Sequence, residues 1–342
     1  MRLPAATGVV LALAALALAS TAHAHIVSDR GVTIWKSLPA SLEPLLASGH
    51  PDSTGAVGGN RGGWVHVCAQ SPAMLRLLRA AAIGDSTTSE DSWRAIDLSW
   101  VQQVPAGNYL SRASGGGAIT RVADLHAVAE WLGELLRADV VVENGPLRAR
   151  FIWRISLMLP KLRNAVHWLE AGADTLWSLD QRRPDRLLVS AQAFLLADGL
   201  LHEEHLNALG QRSLVAALAL QQPDGRFRGD GVGSAGAQAR CLHSLQEVTT
   251  YFSAPSLERA VASSARWLTR QVKSDGRISS AAAAPGGNGA PDVGPCQALD
   301  ERATERLVAE ALLIHAQRTG DRAAGDAAGH ILTRLAKEPR ER

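Results

Sequence analysis

The sequence predicts an all-α chain of stacked helical hairpins, and three features predict it. A turn signal, Gln221-Gln222-Pro223-Asp224-Gly225-Arg226-Phe227, returns one hairpin later as Gln271-Val272-Lys273-Ser274-Asp275-Gly276-Arg277-Ile278. Asp-Gly is the chemistry a chain needs where a helix stops and reverses. Apolar residues between the signals recur at helical spacing. Tryptophan recurs with the turns: Trp177 and Trp267 each stand four residues before a glutamine, and Trp100 is comparably placed before Gly107. A large side chain filling the space between paired helices gives this pattern. Earlier copies of the turn are legible as Gln103-Val104-Pro105-Ala106-Gly107-Asn108-Tyr109 and, degraded, as Gln181-Arg182-Arg183-Pro184-Asp185-Arg186-Leu187.

Residues 1–24 read as a signal peptide, with Arg2, an apolar run over residues 9–19 and the small-x-small pattern Ala22-His23-Ala24. The run is too short to span a membrane and no other stretch reaches the length a span needs. The mature chain is therefore expected to begin at His25 and to be periplasmic or secreted. Three cysteines, Cys68, Cys241 and Cys296, in a chain that crosses into an oxidising space imply one disulfide and one leftover thiol, with the pairing open. Residues 25–63 divide into a helix over 31–48, with Trp35, Leu38, Leu42 and Leu45 on one side, and a glycine-rich linker.

A chain of 342 residues would ordinarily suggest two domains, but stacked hairpins grow as one body, so residues 64–338 are read as a single domain. Its helices are expected near 64–82, 88–103, 120–138, 146–158, 160–181, 187–200, 202–222, 236–253, 255–272, 299–317 and 321–337. Pro160 is expected to divide two of them, because proline cannot donate into an ongoing helix and clashes with the turn before it.

The units Leu78…Gly84-Asp85…Ala95…Trp100…Gln103…Gly107, Ala265-Arg266-Trp267-Leu268…Gln271…Asp275-Gly276 and Ala311…Ala316…Thr319-Gly320-Asp321…Ala327-Ala328…Leu332 resemble the hairpins of the α/α-toroid folds. That broad group includes six-hairpin glycosidases, polysaccharide lyases and terpenoid cyclases. The resemblance covers most of residues 64–338 and implies a complete or incomplete ring of about five to six hairpins. It also implies a site at the mouth of a central cavity, where the loops after the turns lead into the inner helices.

On that reading residues 109–124, 187–192, 226–240 and 277–306 build the mouth. Glycosidic cleavage needs an acid and a base or nucleophile held a few ångströms apart. Asp230, in Arg228-Gly229-Asp230-Gly231, and Asp300, Glu301 and Glu305, at the start of the last inner helix, are the carboxylates placed for it. Their competing explanation is favourable interaction with the helix macrodipole. Proton abstraction beside a uronate carboxylate needs a tyrosine or histidine base. Tyr109 takes the turn position of Phe227 and Ile278 and so belongs to the core, and Tyr251 lies near the outer end of its helix, which leaves His126 and His243. Arg240 and Arg306 occupy equivalent places and suit an anionic sugar, unless a neighbouring glutamate takes them. Trp64 and Trp131, which fall outside the tryptophan spacing together with Trp93, Trp153 and Trp168, are cleft candidates. Asn288, in the glycine-rich loop over 279–297, completes the substrate-binding set.

Other chemistries find less support. With 35 basic residues scattered among 33 acidic ones, a net charge of +2 and 4% aromatic content, no nucleic-acid face is expected. The Asp-x-Asp-Asp acid motif of protonating terpenoid cyclases is missing, and neither glycine-rich loop has the Walker order. His202-Glu203-Glu204-His205 is not His-Glu-x-x-His, and Cys241, His243 and Cys296 amount to three ligands without a second pair. No metal or cofactor is expected. The expectation is an exported carbohydrate-active protein, a hydrolase or lyase acting on an oligo- or exopolysaccharide. The competing expectation is a non-catalytic toroid that binds a glycan or a protein partner in an export or polysaccharide-assembly system.

Overall fold

The computed structural model describes residues 51–57, 70–109, 128–129, 131–133, 135–136, 142, 145–252, 254–279 and 301–337. The fold is all-α. Its helices are α1 (Ser71–Ile83), α2 (Ser86–Gln102), α3 (Arg148–Ala171), α4 (Ala173–Asp180), α5 (Pro184–Leu201), α6 (Glu204–Ala219), α7 (Ala235–Tyr251), α8 (Pro255–Gln271), α9 (Glu301–Thr319) and α10 (Arg322–Lys337). Further helical residues lie between 128 and 142. Among the described residues there is no strand, only isolated antiparallel bridges. The leader at 1–24, the helix at 31–48, Trp64, Cys68, His126, Asn288, Cys296 and Asp300 lie outside the described residues.

Hairpins are the packing unit. α1 packs on α2, α5 on α6, α7 on α8 and α9 on α10, and neighbouring hairpins join through α5–α7–α9 on one side and α8–α10 on the other. The reason lies in exposure. α5 is buried nearly all round, from Pro184 to Ala197, as a helix must be when it has neighbours on every side, whereas α8 and α10 each bury a single stripe.

The turn that recurs in the sequence is the joint. Pro51–Val57, Gln103–Tyr109, Gln221–Phe227 and Val272–Ile278 each close on a single antiparallel bridge. Within each, the glycine N–H donates to the residue three before it, at 2.9 Å for Gly225 to Gln222 O and for Gly276 to Lys273 O. Gly55, Gly107, Gly225 and Gly276 all have positive φ. The turn is also sewn to the next hairpin. Gln221 Nε2 donates to Ala260 O at 2.9 Å and Ser264 Oγ at 2.8 Å on α8, and Gln103 Nε2 donates to Lys161 O at 2.9 Å on α3. From the first turn of the following α7 Gln238 accepts from Phe227 N at 2.9 Å and donates to Phe227 O, and Gln70, the N-cap of α1, likewise accepts from Val57 N and donates to Gly55 O.

Three sequence expectations are corrected. Residues 51–57 are a turn of the repeat and not linker; the copy lacks Asp-Gly because the stabilising acid has moved to Asp52, whose Oδ1 accepts from Thr54 N and Ala56 N. Residues 181–187 are not a turn of this kind. With no glycine to supply positive φ, α4 runs into α5 through Gln181, Arg182 and Arg183 alone, and Pro184 opens α5 with its ready-made φ. Pro160 does not divide helices but sits on the exposed side of the continuous α3, where its ring meets no packed neighbour; the break comes at Gly172.

The end of α9 carries a buried titratable group. His315 is 3% exposed and lies 3.6 Å from Asp321 Oδ2. Burial holds its pKa below the ordinary value of 6.5, against the pull of Asp321. The unfolded chain binds the proton more readily, so this contribution to stability is complete above the unfolded pKa and is lost as pH falls below it. The melting temperature is therefore expected to drop as pH is lowered from neutrality, with a slope of at most about 1.4 kcal/mol per pH unit from this group. His315→Gln should flatten that slope; an unchanged pH dependence in the variant would refute the assignment.

Candidate functional site

α7 and α9 lie side by side, and the polar groups between them make the site. On α7, Arg240, His243 and Glu247 stand at i, i+3 and i+7, so one helix face carries all three. They are 8%, 8% and 7% exposed. Such residues are seldom so enclosed unless they are paired. On α9, Arg306 and Glu310 stand at i and i+4. The two stripes meet where His243 Nε2 lies 3.5 Å from Glu310 Oε1. A carboxylate beside one ring nitrogen fixes the imidazole's orientation and tautomer.

A second charged group adjoins it on α5. Arg183 donates to Asp185 in a two-pronged pair at 3.1 and 3.0 Å, and Arg186 lies 3.7 Å from Asp180. Asp185 is 1% exposed. Cys241 sits between the two groups as a free, buried thiol. Burial, aided by Asp185 and opposed by Arg240 and Arg183, pushes it well above the ordinary thiol range, so it is a neutral filler and not a nucleophile.

The carboxylates expected to act as acid and base are engaged in different ion pairs. Asp230 is exposed and faces Arg182 at 3.5 Å, with its own N–H bonded to Arg182 O at 2.7 Å. Glu305 is 2% exposed and pairs with Arg334, so it points from α9 toward α10. Glu305→Gln is accordingly expected to cost about 2 kcal/mol of stability, because Arg334 would keep a neutral partner in place of a charged one. Thermal unfolding of the variant checks this; an unchanged melting point would mean the pair contributes nothing. Glu301 opens α9, and its side chain lies outside the description.

Arg240 lies on α7 and Arg306 on the adjoining α9, with Arg306 half-buried. Trp131 corrects the expectation of a cleft residue: it is fully buried in the core, because the helical segment that carries it is enclosed. Trp93 is likewise fully buried, 5.8 Å from the Phe151 ring. Tyr109 is 1% exposed, and burial raises its phenol pKa, so it is core as expected. Sequence reasoning missed Glu247, Glu310 and Asp185. The available signal was the run of charged residues at i, i+3, i+7 on α7, a helix whose other positions are buried and mostly apolar or small. Among the described residues no group of His, Cys, Asp and Glu is arranged to hold a metal ion. No family model, no curated protein and no solved structure matches this chain.

Proposed function

We propose that this chain is an exported carbohydrate-active protein whose hairpins close into an α/α toroid. In this reading it cleaves a uronate-containing polysaccharide by β-elimination at the seam between α7 and α9. The observation that carries the reading is the His243–Glu310 pair beside Arg240 and Arg306. The arginines hold and polarise the uronate carboxylate, which acidifies the neighbouring C–H. His243, oriented by Glu310, takes that proton; the C–H electron pair becomes the new ring double bond, the glycosidic C–O bond breaks, and the proton passes from His243 to the leaving oxygen. The toroid is supported by the side-by-side α5, α7 and α9 and by the repeated joint that adds one hairpin to the next. The test is a panel of neutral and uronate polysaccharides, read by ultraviolet absorbance for unsaturated ends and by reducing-end release. Absorbance and reducing ends together on uronates alone support the reading; reducing ends without absorbance point to hydrolysis instead.

A specific observation favours a second, non-catalytic reading. Glu305 and Asp185 are both spent on buried ion pairs with arginines of the same chain, which is how a scaffold uses buried charge, and Asp230 pairs with Arg182 at the surface. Tight binding to a glycan with no product in either assay would select it.

A further inference from the structure

The outer surface of α2 and α3 does not behave like the rest of the exterior. Trp153 is 54% exposed and Leu157, one turn on, 58%; Val101 of α2 is 74% exposed. The two helices run parallel, since Trp93 meets Phe151, Asp97 meets Arg154 and Gln103 meets Lys161. Val101, one turn beyond Asp97, therefore stands level with Leu157. Exposed leucine and valine grouped with an exposed tryptophan mark a surface that something covers.

The charges around it indicate what. From Arg148 to Leu169, α3 carries Arg148, Arg150, Arg154, Lys161 and Arg163 and not one acidic residue. Arg154 holds Asp97 at 2.8 Å and Glu90 at 2.7 Å, which neutralises the nearest acids of α2, and Asp91 is taken by Arg76 and Arg94. Arg163 is shared with Glu203 at 3.5 Å. Arg148 and Arg150 remain exposed at the head of the helix. An apolar strip led by tryptophan and bordered by arginines is what a helix lying on an anionic bilayer presents: the indole takes the headgroup level, the aliphatic residues reach the acyl boundary and the arginines meet lipid phosphate. No helix among the described residues is long and apolar enough to cross a membrane, so the contact is peripheral.

We propose that the exposed face of α3, with Val101 of α2 beside it, docks this protein on the surface of an anionic lipid bilayer. A sugar would need the indole but not Leu157 and Val101, and an acidic protein would need the arginines but not the tryptophan at interfacial depth. The test is co-sedimentation of the full chain with vesicles of phosphatidylcholine alone and of phosphatidylcholine with phosphatidylglycerol. Binding is expected to the mixed vesicles only and to weaken with salt. W153A/L157S should lower the partition coefficient by about tenfold or more, and R148E/R150E by a similar factor, as loss of buried apolar area and of two basic contacts requires. The variants keep the parent's termini, so any leader contribution cancels. All four residues are exposed, and an unchanged circular dichroism spectrum establishes that the fold is intact. Equal binding to both vesicle types, undiminished binding by W153A/L157S, or a W153-dependent dimer in sedimentation without vesicle binding would each overturn the proposal.

Discussion

His243→Ala is expected to lower turnover on a uronate polysaccharide by about a hundredfold or more, the contribution a positioned general base typically makes. Three polar residues at i, i+3 and i+7 on α7 share one face, α9 brings Glu310 to 3.5 Å from the imidazole, and Arg240 and Arg306 stand one turn before His243 and Glu310 on the same helix faces. Glu310→Gln should cost less, because it leaves the imidazole in place and removes only the charge that orients it; the loss should fall on kcat more than on KM. Arg240→Ala should raise KM as well, since it takes part of the carboxylate's binding. Stability separates these effects from unfolding: His243 is enclosed, so each variant's melting temperature must be measured alongside turnover. A His243→Ala protein that makes unsaturated product at the parent's rate would falsify the assignment of the base. A variant that loses activity and folding together is resolved by His243→Gln, which preserves most of the volume and a hydrogen bond but not the basicity.

The repeat was legible in the sequence because glycine has no substitute where φ is positive, so Gly107, Gly225 and Gly276 survive as visible marks. The copies that misled did so for stated reasons. Pro51–Val57 hides behind a displaced aspartate, and residues 181–187 have the composition of a turn without its glycine. Pro160 reads as a break because the local rule is strong, but the residue lies on the exposed side, and the packed side of α3 through Phe151, Met158, Leu162 and Ala165 holds the helix together. The site was less legible. Place along the chain points to Asp230 and Glu305, whereas catalytic proximity depends on which way each side chain leaves its backbone. Glu305 and Glu310 differ by a little over one turn, and that difference sends the first toward Arg334 of α10 and the second toward His243 of α7. Only knowledge of which helices adjoin separates them, and no spacing within α9 supplies it.

Gly225→Ala is the substitution that should damage the fold most. At φ +96° an added Cβ would stand 2.0 Å from Ser263 O and 2.3 Å from its carbonyl carbon, both backbone atoms of α8. The first cost is conformational, about 1–2 kcal/mol for any residue with a side chain held in left-handed backbone. The second cannot be relieved by a rotamer, because helix backbone, unlike a flexible side chain, moves only with its whole turn. Displacing it would also strain the bonds from Gln221 to Ala260 O and Ser264 Oγ and from Ser264 Oγ to Gly225 O. The total is expected to exceed about 4 kcal/mol, which puts it among the exceptional single substitutions. Gly320→Ala is the internal control: its φ is also positive, at +75°, but nothing lies within 4 Å of its added Cβ, so it should lose only the conformational part, about 1 kcal/mol. Denaturant unfolding of both variants against the parent measures the difference. Gly107 and Gly276, whose added Cβ atoms would stand 1.9 Å from Asn164 O and 2.4 Å from His330 O, should behave like Gly225. If all four cost the same, the turns would not be held by contact with α3, α8 and α10, and the repeated joint would be a matter of local backbone preference alone.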